Sequence, residues 1–192
     1  MNRLFVLSIS LLTVLFTHTV LAQEFGSVRS SYELKIPQKI QKLVLDPLPA
    51  GTYSVGSGGY FPTIDSAFNK LSIDGIAGEV ILELTDALYT SPSGVPYILN
   101  GPINGASASS RVTIRPAENV AVTITGNGVA VMLFYDVSYF TIDGINSQGI
   151  TSLKVQGFYN AGTQWNDAID FYGDCDYVQV KNLTASTEDV NR

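Results

Sequence analysis

Histidine is nearly missing from this chain. The single one among 192 residues, His18, lies in an N-terminal stretch with the features of an export signal, so the mature chain has none. That excludes histidine-based nucleophilic triads and histidine metal sites from these residues. Cysteine is almost as scarce. Cys175 is alone and cannot form an internal disulfide, and in an oxidising compartment a lone thiol is safest when buried. Positive charge is in short supply, with 11 Lys and Arg against 17 Asp and Glu. Such a balance disfavours nucleic acid and anionic membranes, which both reward basic side chains. Long apolar runs are absent too. The longest, Leu4 to Phe16, is broken by Ser8, Ser10 and Thr13 and falls short of the roughly 18 residues of a membrane span.

That run reads instead as a secretory signal. Arg3 supplies the positive start, and Val20-Leu21-Ala22 offers a cleavage site before Gln23. The residue after the cut is not cysteine, which argues against a lipid-modified N-terminus. Residues 1–22 are therefore expected to be removed, leaving a secreted or surface-displayed chain with no further membrane insertion. Residues 23–50 carry Pro37, Pro47 and a basic cluster at Lys35, Lys39 and Lys42, and are expected to form a leader or linker. Residues 51–192 form the domain.

The domain opens with one helix. Ile64, Ala67, Phe68 and Leu71 fall at i, i+3, i+4 and i+7, Thr63 suits the N-cap, and Asp65 suits the first turn. From Glu79 the period changes to two. Val80, Leu82 and Leu84 alternate with Ile81 and Glu83. Val112 and Ile114 alternate with Thr113 and Arg115, and Val122 and Ile124 with Thr123 and Thr125. Phe140 and Ile142, then Val178 and Val180, continue the pattern. Each strand has one buried and one wet face.

An internal repeat decides between architectures. Ala130 to Ile145 aligns without gaps on Ala168 to Leu183, apolar on apolar and turn residue on turn residue. Gly144 and Asn182 coincide, two residue types that tolerate a left-handed backbone at a corner. A strand–turn–strand unit cannot bury its own inner face, so it must stack on a neighbour. A sandwich would explain single strands but not the repeat. The expected fold is all-β: a right-handed, single-stranded parallel β-helix of about three coils. The amphipathic helix covers its first coil, since an open solenoid end exposes core and unpaired backbone.

The segments Gly51-Thr52-Tyr53-Ser54-Val55-Gly56, Val80-Ile81-Leu82-Glu83-Leu84, Val112-Thr113-Ile114-Arg115-Pro116 and Tyr139-Phe140-Thr141-Ile142-Asp143-Gly144 resemble the N-terminal coils of bacterial secreted β-helix proteins of the pectin-lyase-like superfamily. The resemblance runs from about Pro49 to the C-terminus and rests on architectural motifs. It implies a protein that acts on or binds polysaccharide at the cell exterior. Lyases of that superfamily use calcium and a basic residue on acidic sugars. The glycine–histidine–glycine element of its polygalacturonases is missing here. Its members are usually longer, so a chain ending at Asn191-Arg192 without a second cap is expected to be a truncated portion. Stacking Ile114 on Ile142 also sets Pro116 against Gly144, where proline could not take a left-handed conformation.

No catalytic constellation is visible. Asp170, Asp174 and Asp176 cluster around one turn and are candidate calcium ligands with Lys181 nearby; aspartates also simply terminate strands and form turns. No other cofactor is implied. Ser147 to Asn166 is expected to hold most of the inserted loop. It carries Phe158, Tyr159 and Trp165 among amides and hydroxyls, which suits stacking on sugar rings or folding back over the solenoid. The expected partner is an extracellular polysaccharide or a cell surface, met by a monomer without catalysis. A polysaccharide lyase or hydrolase with its catalytic coils elsewhere is the alternative.

Overall fold

The computed structural model describes residues 45–159 and 167–189. The expected signal at 1–22, the leader up to residue 44 and Trp165 lie outside the described residues.

The chain is a single-stranded parallel β-helix. Strand β1 (Gly51–Val55) precedes helix α1 (Ile64–Asp74), and every later element is a strand. The first full coil is β2 (Val80–Leu84), β3 (Leu88–Thr90) and β4 (Tyr97–Asn100). The second is β5 (Val112–Pro116), β6 (Val122–Gly126) and β7 (Ala130–Tyr135). The third is β8 (Phe140–Asp143), β9 (Leu153–Tyr159) and β10 (Asp167–Tyr172), and a fourth begins with β11 (Gln179–Lys181) and β12 (Thr184–Asp189). Strands pair one coil apart into three sheets, β1-β2-β5-β8-β11, β3-β6-β9-β12 and β4-β7-β10, with parallel pairing throughout the described residues. The stack is thus about four turns, one more than the strand pattern alone indicates.

Parallel register places like side chains above one another. Val80, Val112 and Phe140 form one inner row, and Leu82, Ile114 and Ile142 another; all six are fully or almost fully buried. Each such side chain contributes about 1.5–3 kcal/mol by leaving water. Pro116 causes no conflict. Its pairing is with Leu84 of the preceding coil, while the β5–β8 ladder stops at Ile114 and Ile142. Gly144 is not left-handed, contrary to expectation. Its requirement is close approach, because a Cβ there would overlap the Asn182 carbonyl; Asn182 itself does take φ 58°.

The repeat needs one correction. Ile142 pairs with Val180 at the expected offset of 38, but Met132 pairs with Ile169 at 37. The shorter offset sets Phe134 on Phe171 and Tyr135 on Tyr172, with ring centroids 4.9 and 5.4 Å apart. The added residue is absorbed between Tyr172 and Gln179, where Gly173 takes φ 74°. A second correction concerns the inserted segment. Leu153 to Tyr159 is a strand and not loop, with Leu153 and Val155 buried in the core.

Helix α1 begins as its sequence indicates. Thr63 accepts from the Ser66 N–H, Ser66 accepts from the Thr63 N–H, and Ile64, Ala67, Phe68 and Leu71 are buried. It packs along β4, the first strand of its sheet. Phe68 reaches from this cap to ring–ring contact with Phe134 (5.9 Å) and Phe140 (6.3 Å), so the cap is anchored in the second and third coils. Truncating Phe68→Ala is expected to cost about 3–5 kcal/mol, whereas Thr63→Ala, which removes only a cap bond, costs about 1 kcal/mol. Thermal unfolding of both variants, followed by circular dichroism, should show the larger fall for Phe68→Ala.

Candidate functional site

Two clefts of ligand size open on different flanks of the solenoid. The first, about 390 Å³, spans three coils of the β3-β6-β9-β12 sheet. Thr90, Ser91 and Ser93 come from the first coil, Thr125, Gly126 and Asn127 from the second, and Phe158 from the third. Period two sets this arrangement: Ile124 turns inward, so Thr125 turns out, level with Thr90 one coil below. The two hydroxyls lie 3.3 Å apart, Asn127 Nδ2 lies 3.5 Å from Ser93 Oγ, and Asn127 Oδ1 accepts the Gly94 N–H at 2.9 Å. Ser91 is only 3 % exposed and its hydroxyl has no hydrogen-bond partner among the described residues. A buried hydroxyl left unpaired costs about 1–3 kcal/mol, so its place beside a cleft is a marked feature. None of the described residues bordering this cleft is charged.

The second cleft, about 400 Å³, lies on the β4-β7-β10 sheet and is bordered by Val129, Leu133, Tyr135, Asp167, Asp170 and Tyr172. Tyr135 and Tyr172 are stacked across adjacent coils, and both are exposed. Beyond them the chain turns a corner into the next sheet, where a second tyrosine pair stacks. Tyr139 and Tyr177 lie 4.8 Å apart with rings within 7° of parallel, both in the left-handed region at φ 58° and 56°. Backbone bonds hold them there: the Tyr139 N–H donates to the Asp176 carbonyl at 3.0 Å, and the Arg111 guanidinium donates to the Tyr177 carbonyl.

The candidate residues part company. Phe158 borders the first cleft, Tyr159 ends β9, and Trp165 falls outside the described residues. Asp170 borders the second cleft, whereas Asp174 and Asp176 sit in the corner and take part through their backbone. The Asp174 N–H donates to Asp136 Oδ1 at 2.9 Å, and the Asp176 N–H to Ser138 Oγ at 3.1 Å. Among the described residues no three His, Cys, Asp or Glu side chains are gathered as a metal site requires. Lys181 does not face them but pairs with Asp143 at 3.3 Å. Cys175 is half-buried, its thiol 3.2 Å from the Tyr172 carbonyl. The tyrosine ladders were not singled out from the sequence. Their signal is present in it, since Tyr139 and Tyr177 coincide in the repeat and Tyr135 meets Tyr172 once the offset drops to 37.

Asp143 ties the corners of the third and fourth coils. Burial pushes its carboxyl up, but bonds from Asn182 Nδ2 (2.9 Å) and the Ile145 N–H (3.1 Å), with Lys181, outweigh it and hold the carboxyl below the ordinary value of 3.8. A carboxyl depressed in the folded state adds stability above its unfolded pKa, and that stability is lost as pH falls through the folded value. Asp143→Asn is therefore expected to unfold at a lower temperature than the parent at neutral pH. The difference should close as pH is lowered below 3.8, which a series of thermal melts would show.

None of the protein-family models, curated proteins or solved structures with which the chain was compared matches it.

Proposed function

We propose that this chain is a secreted or cell-surface β-helix, of the kind built by the pectin-lyase-like superfamily, that binds glycan along its flank without chemistry on it. The observation that carries this reading is the uncharged cleft across β3, β6 and β9. There one aromatic face, Phe158, meets the side chains of Thr90, Ser93, Thr125 and Asn127. A sugar ring offers an apolar C–H face to an aromatic ring and hydroxyls to amide and hydroxyl partners, and this cleft supplies both in one place. Its volume falls within the range of small-molecule sites. Strands on three coils carry Thr90, Thr125 and Phe158, and Ser93 and Asn127 follow in the adjoining turns, where Asn127 is held by the Gly94 N–H.

The test is a glycan array with the full chain, followed by titration of the retained glycan against the parent and Phe158→Ala. The variant is expected to bind at least about tenfold more weakly, the scale of losing one aromatic anchor. Retention of no glycan, or release of shortened or unsaturated product from a bound one, would overturn the reading.

A further inference from the structure

A charged pair lies beside the cleft at Phe158. Lys154 and Phe158 share the outward face of β9, whose alternate residues Leu153 and Val155 are buried. In the next coil Thr184 is in register with Lys154 and Glu188 with Phe158. Glu188 therefore stands one strand spacing, about 4.8 Å of backbone, from the aromatic anchor and on the same face. Lys154 reaches along the strands to it, and the pair is loose, with 3.8 Å between Nζ and the carboxylate oxygen and both side chains exposed. The other described cations are engaged on the cap helix or the β1-β2-β5-β8-β11 flank. Lys70 pairs with Asp46 and Asp74, Arg115 with Glu83 and Lys181 with Asp143, and Arg111 donates to the Phe140 and Tyr177 carbonyls. Residues 160–166, which follow Phe158 and Tyr159, contain no Lys or Arg.

We infer that the Phe158 cleft takes a neutral sugar in preference to an acidic one, and that Glu188 sets this preference. The inference rests on the glycan reading of the cleft and names the class of sugar. A uronate stacked on Phe158 brings its carboxylate beside Glu188, into a cleft whose described lining offers hydroxyls and an amide but no cation. The ammonium on the same face, Lys154, is held by Glu188. An acidic sugar must therefore meet a like charge or break that pair, and a neutral sugar does neither. Selection of this kind works by penalising the wrong ligand and adds no contact to the right one. Because the pair is exposed, the penalty is modest and is screened by salt.

The experiment titrates the full chain, by calorimetry at low and high salt, with three matched pairs of oligomers: glucose and glucuronate, galactose and galacturonate, mannose and mannuronate. Members of a pair differ only at C6, where a carboxylate replaces the hydroxymethyl group. At low salt the neutral member is expected to bind at least about fivefold more tightly, the scale of one like charge at a partly solvated site, and the gap narrows at high salt. Glu188→Gln is expected to close the gap by tightening the uronate, which can then pair with Lys154, and uronate binding by this variant weakens as salt rises. Lys154→Ala leaves Glu188 unopposed and is expected to widen the gap. Equal or tighter binding of the uronate by the parent, or an unchanged gap in Glu188→Gln, overturns the inference. Loss of neutral binding in Phe158→Ala would in that case still uphold the glycan reading. Binding of none of the six oligomers also overturns the inference, and the reading itself falls only if the wider array is empty too.

Discussion

Each inward side chain of this protein rests on the inward side chain of the next coil, at the roughly 4.8 Å spacing that backbone hydrogen bonding between strands imposes. That spacing leaves no room for mismatch. A row such as Leu82, Ile114 and Ile142 stays closed to water only if every coil contributes an apolar residue at the same height. Because the side-chain period along a strand is two, the same registration lines up the outward residues as well. The outer surface is therefore organised in rows too: Thr90 with Thr125, Glu83 with Arg115, Tyr135 with Tyr172. Both clefts follow from this. They are places where outward rows of different coils converge, held by a core that cannot shift without breaking several rows at once.

The corners bear the strain that the strands avoid. Left-handed backbone at Asp136, Tyr139, Tyr177 and Asn182 is costly for residues other than glycine, of order 1–3 kcal/mol each. It is offset by bonds that run between coils, such as Asp136 Oδ1 to the Asp174 N–H and Asp143 Oδ1 to Asn182 Nδ2. The corner that begins at Asp136 also absorbs the residue by which its two copies differ, with Gly173 in the fourth-coil copy. Strand register is thereby preserved on both sides of an unequal turn. The cap works on the same principle at the end of the stack. An amphipathic helix has no ladder to offer the first coil, so its hold comes from Phe68 reaching across to Phe134 and Phe140.

How much of this was legible in the sequence depended on how much of each element's job was local. Helix α1 was legible at its start, because its cap at Thr63 and its stripe from Ile64 to Leu71 are written in adjacent positions; its last turn to Asp74 was not. The β-helix itself was legible because a repeat with period-two strands has few other ways to bury its inner face. Strand β9 was missed: Leu153-Lys154-Val155 alternates as the other strands do, but the aromatics and glycines around it read as loop. The gapless offset of 38 was right for β8 on β11 and wrong by one for β7 on β10. The extra residue sits between two strands whose patterns tolerate either register, and the deciding contacts, Phe134 on Phe171 and Tyr135 on Tyr172, are between coils. The clefts were beyond sequence reasoning for the same reason. Phe158 was identifiable as an aromatic among polar residues, but its partners Thr90 and Asn127 lie far away along the chain and meet it only through coil registration.

Registration also explains why the flanks differ in charge. Outward rows pair a cation with an anion where the sequence places them at equal heights, as with Glu83 and Arg115 or Asp143 and Lys181. In a chain with a net charge of −6 the anions outnumber the cations, so some rows must end with carboxylates alone. Spread evenly, that surplus would only raise solubility and self-repulsion. Here part of it falls on β10, whose Asp167 and Asp170 border the second cleft with Tyr135 and Tyr172. The described residues that line the cleft at Phe158 carry hydroxyls, an amide and a ring, and no charge. Two flanks of one solenoid, built by one rule of registration, thus differ in the charge of the described residues that border their clefts.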